Sequence, residues 1–222
     1  VSPVIAIVGL RREATIAAGA GVETIVAGAA RMRLPQRLER AIADGGRAIV
    51  SFGLAGGLDP DLAPGTCVIG RAILLLGGER LAVDRVWADR LAEVLPDAYR
   101  ADIAACDRPL AEVAAKRALR QATGASAVDM ESAVAAKLAA AHGLPFAALR
   151  VICDPAERAL PPAALAGFAD DGRTDFGAIL RSLAAAPGQL PALLRLARDA
   201  QRAFAELRHC RKALATGFDF AG

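Results

Sequence analysis

Histidine is nearly absent from this chain: 222 residues hold two, His142 and His209. Its four cysteines, Cys67, Cys106, Cys153 and Cys210, lie far apart and form no Cys-x-x-Cys pair. A zinc site needs closer ligands with histidines beside them, so this pattern argues against a metal. It reads instead as reduced, mostly buried thiols of a cytosolic protein. Excess charge is missing too. A formal net charge of +3 is too small to point to nucleic acid. No uninterrupted apolar stretch reaches the roughly 20 residues of a membrane-spanning helix. The opening residues, VSPVIAIVGLRRE, have no basic leader, and their apolar run is too short for a signal peptide. The expectation is a cytoplasmic protein without a cofactor. Two common nucleotide loops are also lacking. The glycines at 53, 56 and 57 do not have the Gly-x-Gly-x-x-Gly spacing, and no Gly-Lys-Ser or Gly-Lys-Thr follows them.

What is present is a core. Hydrophobic residues make up 55% of the chain and charged ones 23%, which excludes disorder over most of its length. The length suits one α/β domain. Short β-branched runs at Val4–Val8, Val22–Val26, Ala48–Phe52, Cys67–Leu76, Ile103–Cys106, Ala125–Val128 and Phe146–Ile152 read as strands. Helical spacing is found over Leu34–Ala43, Trp87–Leu95, Pro109–Gln121 and Glu131–His142, the last stopped by Gly143. Alternating strands and helices predict an α/β fold of three layers, α/β/α, around a central, mostly parallel mixed sheet. The strands are continuous apolar runs rather than alternations, as expected when both faces are covered. A polar break at Asp170–Asp175 precedes a helical, basic C-terminal segment, 176–215, of the same domain, interrupted by Pro187 and Pro191. Between Arg181 and Lys212 the charge is +5, which leaves −2 for the rest of the chain. Leu190, Leu193, Leu194 and Ala197 have helical spacing with Arg195, Arg198 and Arg202 between them, an amphipathic basic pattern. It fits a helix packed on the domain with a solvated basic face. It also fits a surface that meets anionic lipid headgroups.

Ligands of such sheets bind at the carboxyl ends of strands. Four strand ends carry polar or glycine-rich residues: Gly9 to Glu13, Gly53 to Gly57, Asp129 to Glu131, and Cys153-Asp154. Asp129 fits a helix cap, and Glu131 either decorates the first turn or accepts hydrogen bonds from a diol. Asp154, between a buried strand and Pro155, is either a turn aspartate or a general acid whose proton affinity burial raises. Arg11 and Arg12 are either solvated or ligands for phosphate.

The segments SFGLAGGLDPDLAPGTCVIG, AVDMESAVAAKLAAAHGLPF and ALRVICDP occur in that order. Together they resemble the purine nucleoside phosphorylase and nucleosidase superfamily over about residues 4 to 155, in particular the methylthioadenosine/S-adenosylhomocysteine nucleosidases. The tail, LPPAALAGFADDGRTDFGAILRSLAAAPGQLPALLRLARDAQ, is similar to that of hopanoid-biosynthesis-associated phosphorylases, which release adenine from adenosylhopane. The resemblance implies an enzyme that breaks an N-glycosidic bond and forms a homo-oligomer. Met130 would pack under the ribose and Glu131 would hold its hydroxyls. Asp154 would protonate N7 of the purine, neutralising the leaving group. Ala55, Gly56, Asp129 and Cys153 would put backbone close to base and sugar. Inorganic phosphate or water would be the acceptor, and no metal is implied.

Three departures from the family pattern stand out. Leu54 occupies a position where the family has a serine. The glutamate that activates water aligns with Ala14, so Glu13 takes that role only if the loop shifts by one residue. Arg11 and Arg12 replace acidic or neutral residues. The two arginines and the tail's resemblance tilt the expectation toward phosphate as nucleophile, while the residues leave phosphorolysis and hydrolysis open, as they do a soluble 5′-substituted adenosine as substrate and a non-catalytic nucleoside-binding protein of the same fold.

Overall fold

The computed structural model describes residues 3–28, 33–167, 169, 171–214 and 216–220. Eight strands form one sheet: β1 (Val4–Val8), β2 (Val22–Val26), β3 (Ala48–Gly57), β4 (Cys67–Leu74), β5 (Arg80–Ala82), β6 (Tyr99–Ala105), β7 (Ala127–Asp129) and β8 (Phe146–Asp154). Eight α-helices accompany them among the described residues: α1 (Arg11–Ala17), α2 (Leu34–Ala43), α3 (Arg85–Val94), α4 (Val113–Thr123), α5 (Ser132–Ala141), α6 (Pro162–Ala166), α7 (Phe176–Ala185) and α8 (Leu190–Ala213). Every residue of β1 is buried, as are the first six of β3 and the first seven of β8. This is the double-sided cover that continuous apolar runs call for. Helix α2 packs on α5, and α1 packs on α8.

The sheet is mixed, and part of it closes on itself. β2, β1, β3 and β8 run parallel to their neighbours. β8 then meets β4 antiparallel, β4 pairs with β6 and β6 with β7 in parallel, and β7 returns to β3 antiparallel. The ring β3-β8-β4-β6-β7 is possible because β3 changes partners. Up to Ala55 it follows β8 residue for residue; between Ala55 and Gly56 the register shifts. Beyond that shift Gly56 pairs with Val128 of β7 while also facing Asp154 of β8. A bulge bends a strand and re-aims its neighbours, and a glycine tolerates the close approach. The point where the ring is sewn together is thus the point that carries Asp154.

Several elements depart from the pattern read in the sequence. β3 runs on to Gly57, since its glycines join the ladder instead of forming a turn. α4 starts at Val113 rather than Pro109. Helix α1 and the edge strand β5 lie where the sequence reads as loop, being too short to show a clear period. Pro191 does not interrupt the tail. It sits in the first turn of the 24-residue α8, where a missing N–H costs nothing. Of the polar break, Asp170 lies outside the described residues, as does residue 215 at the end of the basic segment. Cys67 and Cys210 are buried, while Cys106 and Cys153 are partly so, and all four are free thiols.

Candidate active site

Glu13 begins the site. It stands in the first turn of α1, and its side chain turns back toward the end of β1. Oε2 accepts from the backbone N–H of Gly9 at 2.7 Å and of Leu10 at 2.8 Å; Oε1 accepts from Leu54 N at 2.8 Å. One carboxylate thus ties the ends of β1 and β3 together. The Leu54 position contributes its backbone donor, so the absent hydroxyl does not leave it idle. Gly53 must be glycine here: its φ is +149°, and a Cβ would lie 2.7 Å from the Glu13 carboxyl carbon. Burial raises the proton affinity of Glu13, and the nearby Arg150 charge and the three N–H donors work against that rise.

Arg150 enters from the middle of β8, where it pairs in register with Gly53. It is fully buried. Its Nη2 lies 2.6 Å from Asp129 and 3.2 Å from Glu131, and it donates to Ser51 Oγ. Ser132 Oγ bonds both to the Asp129 carboxylate and, at 2.9 Å, to Ser51 Oγ. Asp129 also accepts from Ser132 N at 3.2 Å, the first N–H of α5, although the N-cap residue of that helix is Glu131. Arg150 is therefore the cation around which Glu13, Asp129 and Glu131 are gathered, and those three carboxylates hold its charge in place.

Glu131 and Glu13 face a common point. The Cβ position that Gly9 lacks lies 3.1 Å from Glu131 Oε1 and 3.4 Å from Glu13 Oε2. Two residues beyond Leu54 on the same strand, the vacant Cβ position of Gly56 lies 3.4 Å from Asp154 Oδ2 and 3.5 Å from Oδ1. Glycines 9 and 56 thus leave room directly against the three carboxylates singled out in the sequence. Between these groups sits Cys153, whose thiol burial and the charges of Asp154, Glu13 and Asp199 push up to about 12. It is no thiolate at neutral pH. Asp154 itself is raised above the usual carboxylate range by burial, against the pull of Lys116.

The remaining residues fall into place less uniformly. Met130 is half-buried at the β7–α5 junction, next to Glu131. Ala55 is buried on β3, just before the register shift. Arg11 and Arg12 do not form a paired anion clamp. Arg11 is bound to Asp171, Nη2 to carboxylate at 2.9 Å, while Arg12 lies 4.0 Å over the ring of Phe204 in α8. Adjacent helical residues point in different directions, which separates them. Among the described residues no group of three His, Cys, Asp or Glu side chains is placed to hold a metal ion.

Sequence reasoning missed Arg150, Lys116, Ser51 and Ser132. Arg150 had a visible signal, a single charge inside an otherwise apolar strand. Lys116 had almost none, since it reads as one more exposed helical lysine.

A protein-family model described as "Phosphorylase superfamily" matches residues 20–185. No curated protein sequence matches the chain. Several solved structures share its fold. A 5′-methylthioadenosine/S-adenosylhomocysteine nucleosidase from Neisseria meningitidis, in complex with methylthio-immucillin-A, superposes with a TM-score of 0.68 at 17% identity, over 96% of this chain and 97% of that one. A Helicobacter pylori nucleosidase mutant with 5′-methylthioadenosine in its active site gives 0.63 at 17% identity, over 96% and 100%. The futalosine hydrolase of Helicobacter pylori gives 0.63 at 18% identity, over 96% and 99%.

Proposed function

Because the chain belongs to the phosphorylase superfamily, we propose that it cleaves the N-glycosidic bond of a 5′-substituted adenosine and releases adenine. The observation that carries the reading is a set of three carboxylates at strand ends, Glu13 and Glu131 buried and Asp154 half-buried, each with a different partner. Asp154, whose proton affinity burial raises, donates to N7 of the departing base. Glu131, anchored through one oxygen to Arg150, offers Oε1 to the ribose hydroxyls. Glu13, fixed by three backbone donors, activates the nucleophile on the sugar's other side.

Water is the acceptor this arrangement favours. Glu13, Asp129 and Glu131 surround a single guanidinium, so an anionic nucleophile would meet net negative charge. Arg11 and Arg12, the candidate phosphate ligands, are engaged with Asp171 and Phe204. Phosphate remains the alternative acceptor, to be decided by assay.

The 5′ substituent is proposed to be a lipid, adenosylhopane being the case that the tail's resemblance implies. Helix α7 buries none of its residues, and Phe176 and Leu180 are 72% and 64% exposed. Leu190 and Leu194 at the start of α8 are exposed as well, beside Arg195 and Arg198. An apolar surface rimmed with arginines suits peripheral contact with an anionic membrane from which a lipid substrate is drawn. No helix among the described residues is long and apolar enough to cross one. A smaller 5′ group, as in the 5′-methylthioadenosine bound by the Helicobacter pylori neighbour, is the second reading.

The test is adenine release from adenosylhopane, 5′-methylthioadenosine and adenosine, each with and without phosphate. Preference for the lipid nucleoside, independent of phosphate, supports the proposal. No adenine from any substrate refutes it and favours a nucleoside-binding protein. Light scattering would measure the homo-oligomer that the family resemblance implies.

A further inference from the structure

The chemistry assigned to Asp154 leaves one neighbour unexplained. Lys116 lies on α4, three residues before Leu119, and both are buried. Its side chain is 1% exposed, whereas that of Asp154 is 13% exposed. An ammonium group has three donors, and three acceptors meet this one: Asp154 Oδ2, the Pro155 carbonyl at 2.8 Å and the Arg158 carbonyl at 3.1 Å. Lys116 thus holds both the carboxylate and the turn that follows it, from the side away from solvent.

Stability alone does not account for such a residue. Desolvating two charges costs several kcal/mol, and a well-packed apolar residue of similar volume is often neutral or better. Nor is Lys116 placed to touch a substrate, being less exposed than the carboxylate in front of it. Any effect on chemistry therefore passes through Asp154 and the turn behind it.

We propose that Lys116 is the positioning residue of the proton donor: by binding Oδ2 it leaves Oδ1 to face the departing base, and its charge stabilises the carboxylate that forms when the proton leaves. This rests on the reading of Asp154 as the acid. In the step, the proton on Oδ1 passes to N7, the electron pair of the glycosidic bond goes to the base, and C1′ of the sugar bonds instead to the oxygen of the water that Glu13 activates. The ammonium keeps its protons and lies against the new carboxylate. Asp154 regains a proton from solvent after the base has gone.

The groups that set the behaviour of Asp154 are few. Lys116 faces it from α4; Arg158 acts from the turn after β8, more weakly. Arg158 is itself paired with Asp199 of α8, to which Arg202 is also close. Cys153 adjoins it and stays neutral. Removing Lys116 therefore removes the main influence opposing burial.

The experiment uses the full chain as wild type, Lys116→Met and Lys116→Gln. One arm follows the Asp154 carboxyl carbon by NMR through a pH titration. The other follows kcat/KM for adenine release from the best nucleoside against pH. A general acid fails as pH rises past its own midpoint. Without the lysine that midpoint, and the alkaline limb with it, is expected to move to higher pH by about 1–3 units. The plateau kcat is expected to fall at least about tenfold, one factor of ten being 1.36 kcal/mol. KM should move much less. Loss of the neighbouring charge moves the midpoint whatever the lysine does, so the plateau kcat is the deciding readout: a plateau within about twofold of wild type shows a merely structural lysine and overturns the proposal. If the wild type releases no base, the reading of Asp154 as the acid fails and this proposal falls with it; an active wild type whose Lys116 variants keep its plateau kcat overturns this proposal alone. If Lys116→Met does not fold, Lys116→Gln, which retains a donor but no charge, decides it.

Discussion

Replacing Arg150 by methionine should expose how much of this fold is held in tension by its site. Methionine roughly keeps the volume of the stem and removes the charge. It leaves Asp129, Glu131 and Glu13 buried at 4%, 4% and 2% exposure without their common cation. Taking one partner from a buried ion pair costs about 3–5 kcal/mol. For a chain of this size each kcal/mol moves the melting point by about 2–4 °C, so a fall of roughly 6–20 °C is expected. The loss should depend on pH with a definite sign. Without the guanidinium, burial is opposed only by the remaining N–H and hydroxyl donors, and the proton affinity of the buried carboxyl groups in the folded state rises further. The folded variant then binds protons that the unfolded chain has released. Stability falls as pH rises from the ordinary carboxylate range, near 4, through the raised values. Urea unfolding at pH 5 and pH 8, wild type against variant, measures both features. A difference below about 1 kcal/mol at pH 8, or one that grows as pH is lowered, would refute the reasoning.

Two further substitutions probe the same geometry more locally. Gly53→Ala forces a side chain onto a backbone with φ of +149° and puts its Cβ 2.7 Å from the Glu13 carboxyl. A loss of about 2 kcal/mol or more, read from the urea midpoint, is expected together with reduced turnover. Cys153, pushed up to about 12, is expected to resist iodoacetamide at pH 7.5, and Cys153→Ser to keep turnover within a few-fold. Rapid labelling seen by mass spectrometry would contradict the burial argument.

Much of this was legible from residue order, and what was not has a physical reason. The strand ends at Gly9, Gly56, Glu131 and Asp154 stand out because apolar runs stop there at polar or flexible residues. The folded chain puts Glu131 and Glu13 against Gly9 and Asp154 against Gly56. Glu13 was harder. Its alignment is one residue off, and only the first turn of α1, too short to show a period, shows that its carboxylate reaches the ends of both β1 and β3. The partner change of β3 at Gly56 is a property of the ring, and no local pattern encodes it. Buried charges were the least legible. Lys116 and Arg150 carry the same letters as solvated residues, and only tertiary packing tells them apart. The opposite happened to Arg11 and Arg12. Adjacent in sequence, they looked like one site, and a helix turns them to separate partners.

The central claim is that Asp154 lends a proton to a leaving base, and a change of leaving group tests it most directly. Asp154→Asn keeps an acceptor for Lys116 and removes the acid. A nitrophenyl riboside with the same 5′ substituent leaves as a stable anion and needs no proton. Turnover of the adenine nucleoside should fall by about 10²–10⁴, while cleavage of the nitrophenyl riboside falls by less than about tenfold. Equal losses on both substrates would show that Asp154 supports the site in some other way and would contradict the account.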